Sequence, residues 1–183
     1  MSYKAPLATS TDFGLVKAGT GVNIVDGTLS ASTGLLNYGF FTNGTQTNPV
    51  ASQVNLLTLS NTGPTNGVSV VGGTQITVVN AGTYTKTFTI IVNKTSGGTS
   101  TISIWLRLNG TDVVGSRQDL DLINTLSQIF VSGNFTLNIP AGGNVQMCWS
   151  SADTTVQLAA LPAAVTPIRP TGASAKITLT RIS

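Results

Sequence analysis

Two carboxylates and one thiol are the side chains of this sequence whose type and spacing could support chemistry. Asp119 and Asp121 are two residues apart, so in a β-strand both would lie on one face. Such a pair could bind Ca²⁺ together with backbone carbonyls, or could be two solvated turn residues. Cys148 lies between Met147 and Trp149, an apolar setting that indicates a buried and unreactive thiol.

The residue types that the chain lacks exclude most catalytic chemistry. Its 183 residues include no His, a single Cys, and six acidic residues that are all Asp. Without imidazole there is no Ser-His-Asp or Cys-His nucleophile system and no histidine metal site. The Gly-rich segment 18–27, AGTGVNIVDG, lacks the glycine spacing of phosphate-binding loops. We therefore predict a non-enzymatic protein with no catalytic, cofactor-binding or metal-binding residues and no cofactor.

Composition narrows the possible partners. Charged residues make up 8% of the chain, and the net charge of +3 comes from cations spread thinly along it. Nucleic-acid binding usually needs a clustered basic patch, so we do not expect a nucleic-acid partner. No apolar run approaches the roughly 20 residues of a membrane-spanning helix, so we expect no membrane partner either.

Regular alternation of apolar and polar residues follows from about residue 34 and predicts an all-β protein. Thr, Val and Ile favour strands, while Asn and Gly favour turns, and Gly or Pro pairs separate the alternating runs. Many short strands at this spacing are typical of an antiparallel sandwich or barrel. Segment 119–130 is left open between a strand and a helical turn. The predicted strands are 35–42, 54–59, 68–71, 75–79, 83–93, 100–108, 111–115, 128–139, 144–150, 154–159 and 174–182.

The clearest of these runs, ISIWLRL, forms one arm of a predicted hairpin that turns at Asn109-Gly110. Its alternation sends Ile102, Ile104, Leu106 and Leu108 to one face and Trp105 with Arg107 to the other. A large ring is poorly placed in solvent, so we predict that it contacts another subunit or the N-terminal segment. The residues predicted at a subunit interface are Trp105, Arg107 and Trp149. As the alternative, the aromatic residues that could stack on sugar rings are Trp105, Trp149, Tyr38 and Tyr84.

Residues 1–33 differ from the rest, because short apolar pairs alternate there with Gly-rich turns. Asp26-Gly27 predicts a small hairpin, and an isolated hairpin is only marginally stable in water. We therefore predict that residues 1–33 form an attachment and trimerisation arm and that residues 34–183 form the main domain. The residues predicted to contact the attachment partner are Phe13, Leu15, Val16, Val22, Ile24, Val25 and Leu29.

Four segments of the main domain resemble the trimeric jelly roll of the complement globular-head and tumour-necrosis-factor superfamily. They are GTYTKTFTIIV (82–92), STISIWLRLNGTDVVGS (100–116), FTLNIPAGGNVQMCWSSADTTVQL (135–158) and ASAKITLTRIS (173–183). Three segments also resemble jelly-roll domains of virion proteins of tailed phages, notably phages of cyanobacteria: WLRLNGTDVVGS (105–116), CWSSADTTVQL (148–158) and PIRPTGASAKITLTRIS (167–183). The segment LATSTDFGLVKAGTGVNIVDGTLSAS (7–32) is similar to a short repeat of phage fibre and head-fibre proteins.

These resemblances imply an antiparallel jelly-roll β-sandwich that assembles as a homotrimer. They imply a structural protein on the surface of a phage particle, a capsid decoration or cement protein or a short head fibre, with the major capsid protein as partner. The chain has no collagen-like repeat and its N-terminal segment is short, which favours a compact protein over a full-length fibre. The alternative is a tail-fibre tip or adaptor whose jelly roll binds host surface glycans.

Overall fold

The computed structural model describes residues 22–25, 28–31, 36–123 and 128–183. The chain divides into two compact units, Met1–Leu35 and Leu36–Ser183. All regular elements in the described residues are β-strands, and every pairing between them is antiparallel. The prediction of an all-β, antiparallel fold is therefore confirmed.

The first unit contains a two-stranded pair, β1 (Val22–Val25) and β2 (Thr28–Ala31), with Val25 opposite Thr28. Of the predicted attachment residues, Val22, Ile24 and Val25 are in β1 and Leu29 is in β2. The other three, Phe13, Leu15 and Val16, lie outside the described residues. The attachment role of this unit stays a prediction.

The described residues of the second unit form sixteen strands, and most of the longer ones alternate between buried and accessible positions. They are β3 (Tyr38–Asn43), β4 (Gln46–Thr47), β5 (Asn55–Leu56), β6 (Asn61–Asn66), β7 (Val68–Val71), β8 (Gln75–Val78), β9 (Gly82–Lys94), β10 (Ser100–Leu108), β11 (Thr111–Asp112), β12 (Gln118–Leu122), β13 (Ile129–Ile139), β14 (Asn144–Ser151), β15 (Val156–Leu158), β16 (Ala164–Val165), β17 (Ile168–Arg169) and β18 (Ala175–Arg181).

Two seven-stranded sheets form the sandwich. In the first, which we call the β9 sheet, β9 pairs with β13 on one edge and with β18 and β15 on the other, and the sheet continues through β3 to β6. In the second, the β10 sheet, β10 pairs with β14 on one edge and with β11 and β12 on the other, and β14 leads to β8 and β7. Most strand neighbours are distant in sequence, as in a jelly roll.

The core lies between the two sheets. The inward side chains of β9 include Phe88 and Ile90, and those of β10 include Ile104 and Leu106, all nearly or fully buried. Phe88 also stacks on Phe135 of β13, with ring centroids 6.2 Å apart. The predicted alternation of β10 is confirmed, because its apolar residues 102, 104 and 106 are buried while Trp105 is on the opposite face.

Five strands of the main domain, β4, β6, β12, β16 and β17, are not among the predicted ones. Gly63-Pro64 reads as a turn, yet both residues are in β6, at the edge of the β9 sheet beside β3, where the register shifts. Proline is tolerated there because an edge strand leaves one side of its backbone unpaired. The segment left open at 119–130 begins as strand β12, and residues 129 and 130 belong to β13. The returning strand predicted at 111–115 is shorter, limited to Thr111–Asp112.

Within the described part of the chain there is no helix long and apolar enough to cross a membrane.

Candidate functional site

The paired carboxylates lie on one face of β12, as their spacing predicts, but each has a protein partner. Arg117 donates to Asp119 from Nε at 2.8 Å and from Nη2 at 2.5 Å, and Thr101 donates to Asp121 at 2.6 Å. The bonds from Arg117, and then one from Ser103, lower the pKa of Asp119 to about 2. The described residues contain no group of three or more His, Cys, Asp or Glu side chains that could hold a metal ion.

A second charged cluster surrounds Trp105 on the outer face of β10. Asp112 accepts two hydrogen bonds at Oδ1, from Trp105 Nε1 at 3.0 Å and from Arg107 Nε at 2.9 Å. These bonds, with that from Arg107 first, lower the pKa of Asp112. The hairpin turn creates this arrangement, since Asn109 and Gly110 both have positive φ and bring Asp112 opposite Arg107 in the ladder. Trp105 is thus half-buried, and its indole N–H has a partner within its own chain.

A groove of about 440 Å³ lies beside this cluster. Residues 113–115 form one wall. They belong to a tight turn over residues 113–116, with Gly115 at φ 80° and the Ser116 amide donating to the Val113 carbonyl at 3.2 Å. The buried Ser116 hydroxyl fixes this turn to β10, because it accepts from the Leu106 amide at 2.9 Å and donates to the Val113 carbonyl at 2.7 Å. We call this the tryptophan groove; its lining includes Ser103, Trp105, Asp112, Val114, Arg117 and Ser150.

The other aromatic candidates divide between core and surface. Trp149 is 0% exposed and lies in the core of a single chain, so it offers no surface to a sugar or to a neighbouring subunit. Tyr84 is also buried, and its hydroxyl donates to the Asn80 carbonyl at 2.7 Å. Tyr38 is accessible on the β9 sheet. Cys148 is fully buried, and burial raises the pKa of its thiol, which matches the predicted unreactive cysteine.

The outer face of the β9 sheet is a polar surface almost free of charge. In one row across four strands, Phe40, Thr178, Thr87 and Asn134 lie side by side. Of the residues that form this face only Lys176 is charged, and Phe40 and Phe130 are large exposed apolar side chains. We call it the threonine face; it comprises Tyr38, Phe40, Thr42, Thr83, Thr85, Thr87, Thr89, Phe130, Ser132, Asn134, Thr136, Asn138, Lys176, Thr178 and Thr180.

Strand β13 bounds the threonine face. Its 11 residues, IFVSGNFTLNI, contain neither a charge nor a proline. Among the described strands it pairs with β9 alone, so no described strand lies along its other edge. Soluble proteins usually protect such an edge with Lys, Pro or a covering element, because free backbone donors and acceptors invite pairing with another chain.

Strand β9 carries two buried lysines, Lys86 and Lys94, that the sequence pattern did not single out. Lys94 is fully buried and donates to Asp153 Oδ2 at 2.6 Å, to the Gly98 carbonyl at 2.5 Å and to Ser100 Oγ. All three donors of the ammonium group are therefore used. The cluster joins the β9–β10 loop to the β14–β15 loop, which is a structural role and not a catalytic one. The bond from Lys94, with others from Ser100 and Thr155, holds the pKa of Asp153 well below its usual range.

Lys86 has no comparable partner. Its amine lies 3.9 Å from Met147 Sδ and 5.3 Å from the centroid of the Phe88 ring, in a fully buried position. Desolvation lowers the pKa of this amine to about 7. The alternation of TYTKTFT could have signalled its burial, since it places Lys86 on the same face as Tyr84 and Phe88.

The described geometry resembles solved structures of one fold. The chain is 15% identical to the globular domain of a zebrafish complement 1qA protein, with a TM-score of 0.50, covering 80% of this chain and 97% of that one. It is 13% identical to Eiger TNF from S. frugiperda, with a TM-score of 0.50, covering 81% of this chain and 94% of that one. No family model and no curated protein sequence matches the chain.

These likenesses identify the fold class as a jelly roll of the complement globular-head and tumour-necrosis-factor type, which confirms that part of the predicted resemblance. At this level of identity they bear on the fold alone, because one fold supports many functions.

Proposed function

We propose that the chain is a homotrimeric, non-enzymatic structural protein of a tailed phage particle. It decorates or cements the capsid, or forms a short head fibre, on the particle surface. Residues 1–33 attach it to the major capsid protein, and the jelly roll forms the trimer. The phage assignment rests on the sequence resemblance of residues 7–32 and of the later strands to virion proteins.

The observation that carries the assembly part of the proposal is the threonine face. An exposed sheet face of a soluble protein normally carries many charged residues, which keep it hydrated and prevent association. Interfaces instead lack charge at their centre and are enriched in aromatic residues. The threonine face has one charge and includes Phe40, Phe130 and Tyr38. A second copy of the same chain is the partner that such a surface fits, because a repeated contact can close into a ring.

The proposed subunit contact does not include the residues predicted from the sequence, which are Trp105, Arg107 and Trp149. Trp149 fills the core. Trp105 and Arg107 both bond to Asp112 within one chain, so neither needs another subunit to satisfy its donors. The second edge of β13, along which no described strand lies, is next to the threonine face and supplies further backbone groups for a contact between copies.

Locating the protein on intact phage particles tests the function. Gold-labelled antibody against the jelly roll should mark the head in electron micrographs, and a chain lacking residues 1–33 should remain a trimer but no longer bind capsids. Labelling of the tail tip instead would contradict the decoration role. A truncated chain that still binds capsids would contradict the role of residues 1–33.

A further inference from the structure

We propose that the tryptophan groove binds a neutral carbohydrate. This inference goes beyond the structural role and does not depend on it, since the groove and the threonine face belong to different sheets. Its volume of about 440 Å³ is within the range of small-ligand sites and suits one or two sugar rings.

The walls of the groove are fixed before any ligand arrives. Asp112 holds the Trp105 indole through Nε1, and the Ser116 hydroxyl ties the opposite turn to β10. A ring held in one orientation loses little conformational entropy when a ligand covers it. The Trp105 ring and the 113–116 turn are therefore already in place, so little of the binding free energy of a weak, stacking ligand is lost in ordering them.

The charges of the groove favour a neutral ligand. Arg107 bonds to Asp112, and Arg117 bonds to Asp119, so two cations are balanced by two anions. Because the charges of the two pairs cancel, these four residues offer neither an anionic nor a cationic ligand an unpaired opposite charge. A neutral ligand can use the same groups without breaking either pair. Both bonds to Asp112 use Oδ1, and its side chain is 57% exposed, so the carboxylate can accept further hydroxyl donors.

The remaining lining residues match the two surfaces of a sugar. The Trp105 ring and Val114, which is 99% exposed at the rim, offer apolar contact to the C–H face of a pyranose. The hydroxyls of Ser103 and Ser150 lie in the same groove. The Ser150 hydroxyl can donate to and accept from sugar hydroxyls, whereas the Ser103 hydroxyl donates to Asp119 and can still accept. Apolar contact beside convergent hydroxyl and carboxylate groups is the chemistry that recognises a neutral oligosaccharide.

The test uses the full chain on a printed array of neutral, sialylated and sulfated oligosaccharides. We expect neutral members to bind. The best of them is then titrated in solution while the Trp105 indole N–H resonance is followed. That resonance is identified as the signal lost in Trp105→Phe, and it should shift while the signal of the buried Trp149 does not.

Two variants test the location of binding. Trp105→Ala should weaken it at least tenfold. Ser150→Tyr, which places a ring in the groove at a strand position that tolerates tyrosine, should weaken it similarly even if Trp105→Ala fails to fold. Ser69→Ala, at an exposed position of β7 on the same sheet, should bind as the wild type does. The inference is overturned if no neutral sugar binds at up to about 10 mM. Binding confined to anionic sugars, or unaffected by Ser150→Tyr, would also overturn it.

Discussion

The two outer faces of the sandwich both have little net charge, but for different reasons. On the β10 sheet, Arg107 and Arg117 are neutralised by carboxylates of their own chain, and a groove opens beside Trp105. On the β9 sheet, the threonine face has almost no charge and carries exposed aromatic rings. On the first face every charge named here is paired within one chain. The second face presents hydroxyls, amides and aromatic rings that another copy of the chain could contact. Under the two proposals above, subunit contact belongs to the β9 sheet and ligand contact to the β10 sheet, on opposite faces of the sandwich.

The largest effect should come from adding charge to the threonine face. Thr87→Lys combined with Asn134→Lys puts two adjacent cations on neighbouring strands at its centre, where β9 pairs with β13. Assembly would bury these charges in a contact that offers them no opposite charge, so the trimer should dissociate and the mass in solution should fall threefold. The control is Thr101→Lys on β10, opposite Asp121, which should leave the mass unchanged. Equal masses for the double variant and the wild type would remove the threonine face from the interface.

The second prediction concerns Lys86, on the inner side of β9, and separates an effect on folding from an effect on assembly. Lys86→Met replaces the buried amine by an apolar chain of similar length and should raise the free energy of unfolding. Because the folded-state pKa of Lys86 is about 7 against an ordinary 10.5, the unfolded chain binds more protons between those values. The free energy of unfolding of the wild type should therefore rise with pH from about 7 to 10.5. The free energy of unfolding of Lys86→Met should exceed that of the wild type by on the order of 5 kcal/mol below pH 7, and by little near pH 10.5.

Urea unfolding at pH 6, 8 and 10, at one fixed protein concentration, measures this difference. The mass of Lys86→Met should equal that of the wild type, because the residue faces the core. Parallel pH profiles for the two proteins would show that the amine is not buried in the neutral form.

Lys94→Met is the matched change eight residues along β9 and should act in the opposite direction. It leaves Asp153 without its main partner, so we expect a loss of about 2–3 kcal/mol. This is less than the ~3–5 kcal/mol for a fully buried pair, because the Asp153 side chain is 28% exposed. The folded-state pKa of Asp153 is lowered, so this contribution is present above pH 4 and decreases as the pH falls below that. Thermal unfolding at pH 7 and pH 3 measures it; a stabilised Lys94→Met would contradict the assigned pair.

The smallest effect should come from Asp112→Asn on the β10 sheet. The pair with Arg107 is exposed, so the urea midpoint should stay within error of the wild type. The Trp105 indole N–H resonance should nonetheless shift, because its acceptor changes from a carboxylate to an amide. A clear loss of trimer in this variant would mean that the sequence-based choice of Trp105 and Arg107 for the interface was the better one.

The sequence predicts the strands well because alternation reports burial directly. Residues 83–93 are predicted as a strand and Gly82–Lys94 is observed, and the predicted inward face of β10 is the observed one. Alternation fails in β14, where nearly every residue is buried, so the pattern could not assign Trp149 to the core. The Lys94–Asp153 pair joins residues 59 apart in sequence, and no local pattern encodes that contact. The tryptophan groove also depends on how the 113–116 turn folds onto β10.

The mass of the full chain in solution, measured by light scattering after size-exclusion chromatography, tests the central claim most directly. The account predicts three times the 18.8 kDa of one chain, unchanged on dilution through the micromolar range. A mass of one chain under the same conditions would contradict it, because the threonine face would then be a stable surface in water without a second copy of the chain.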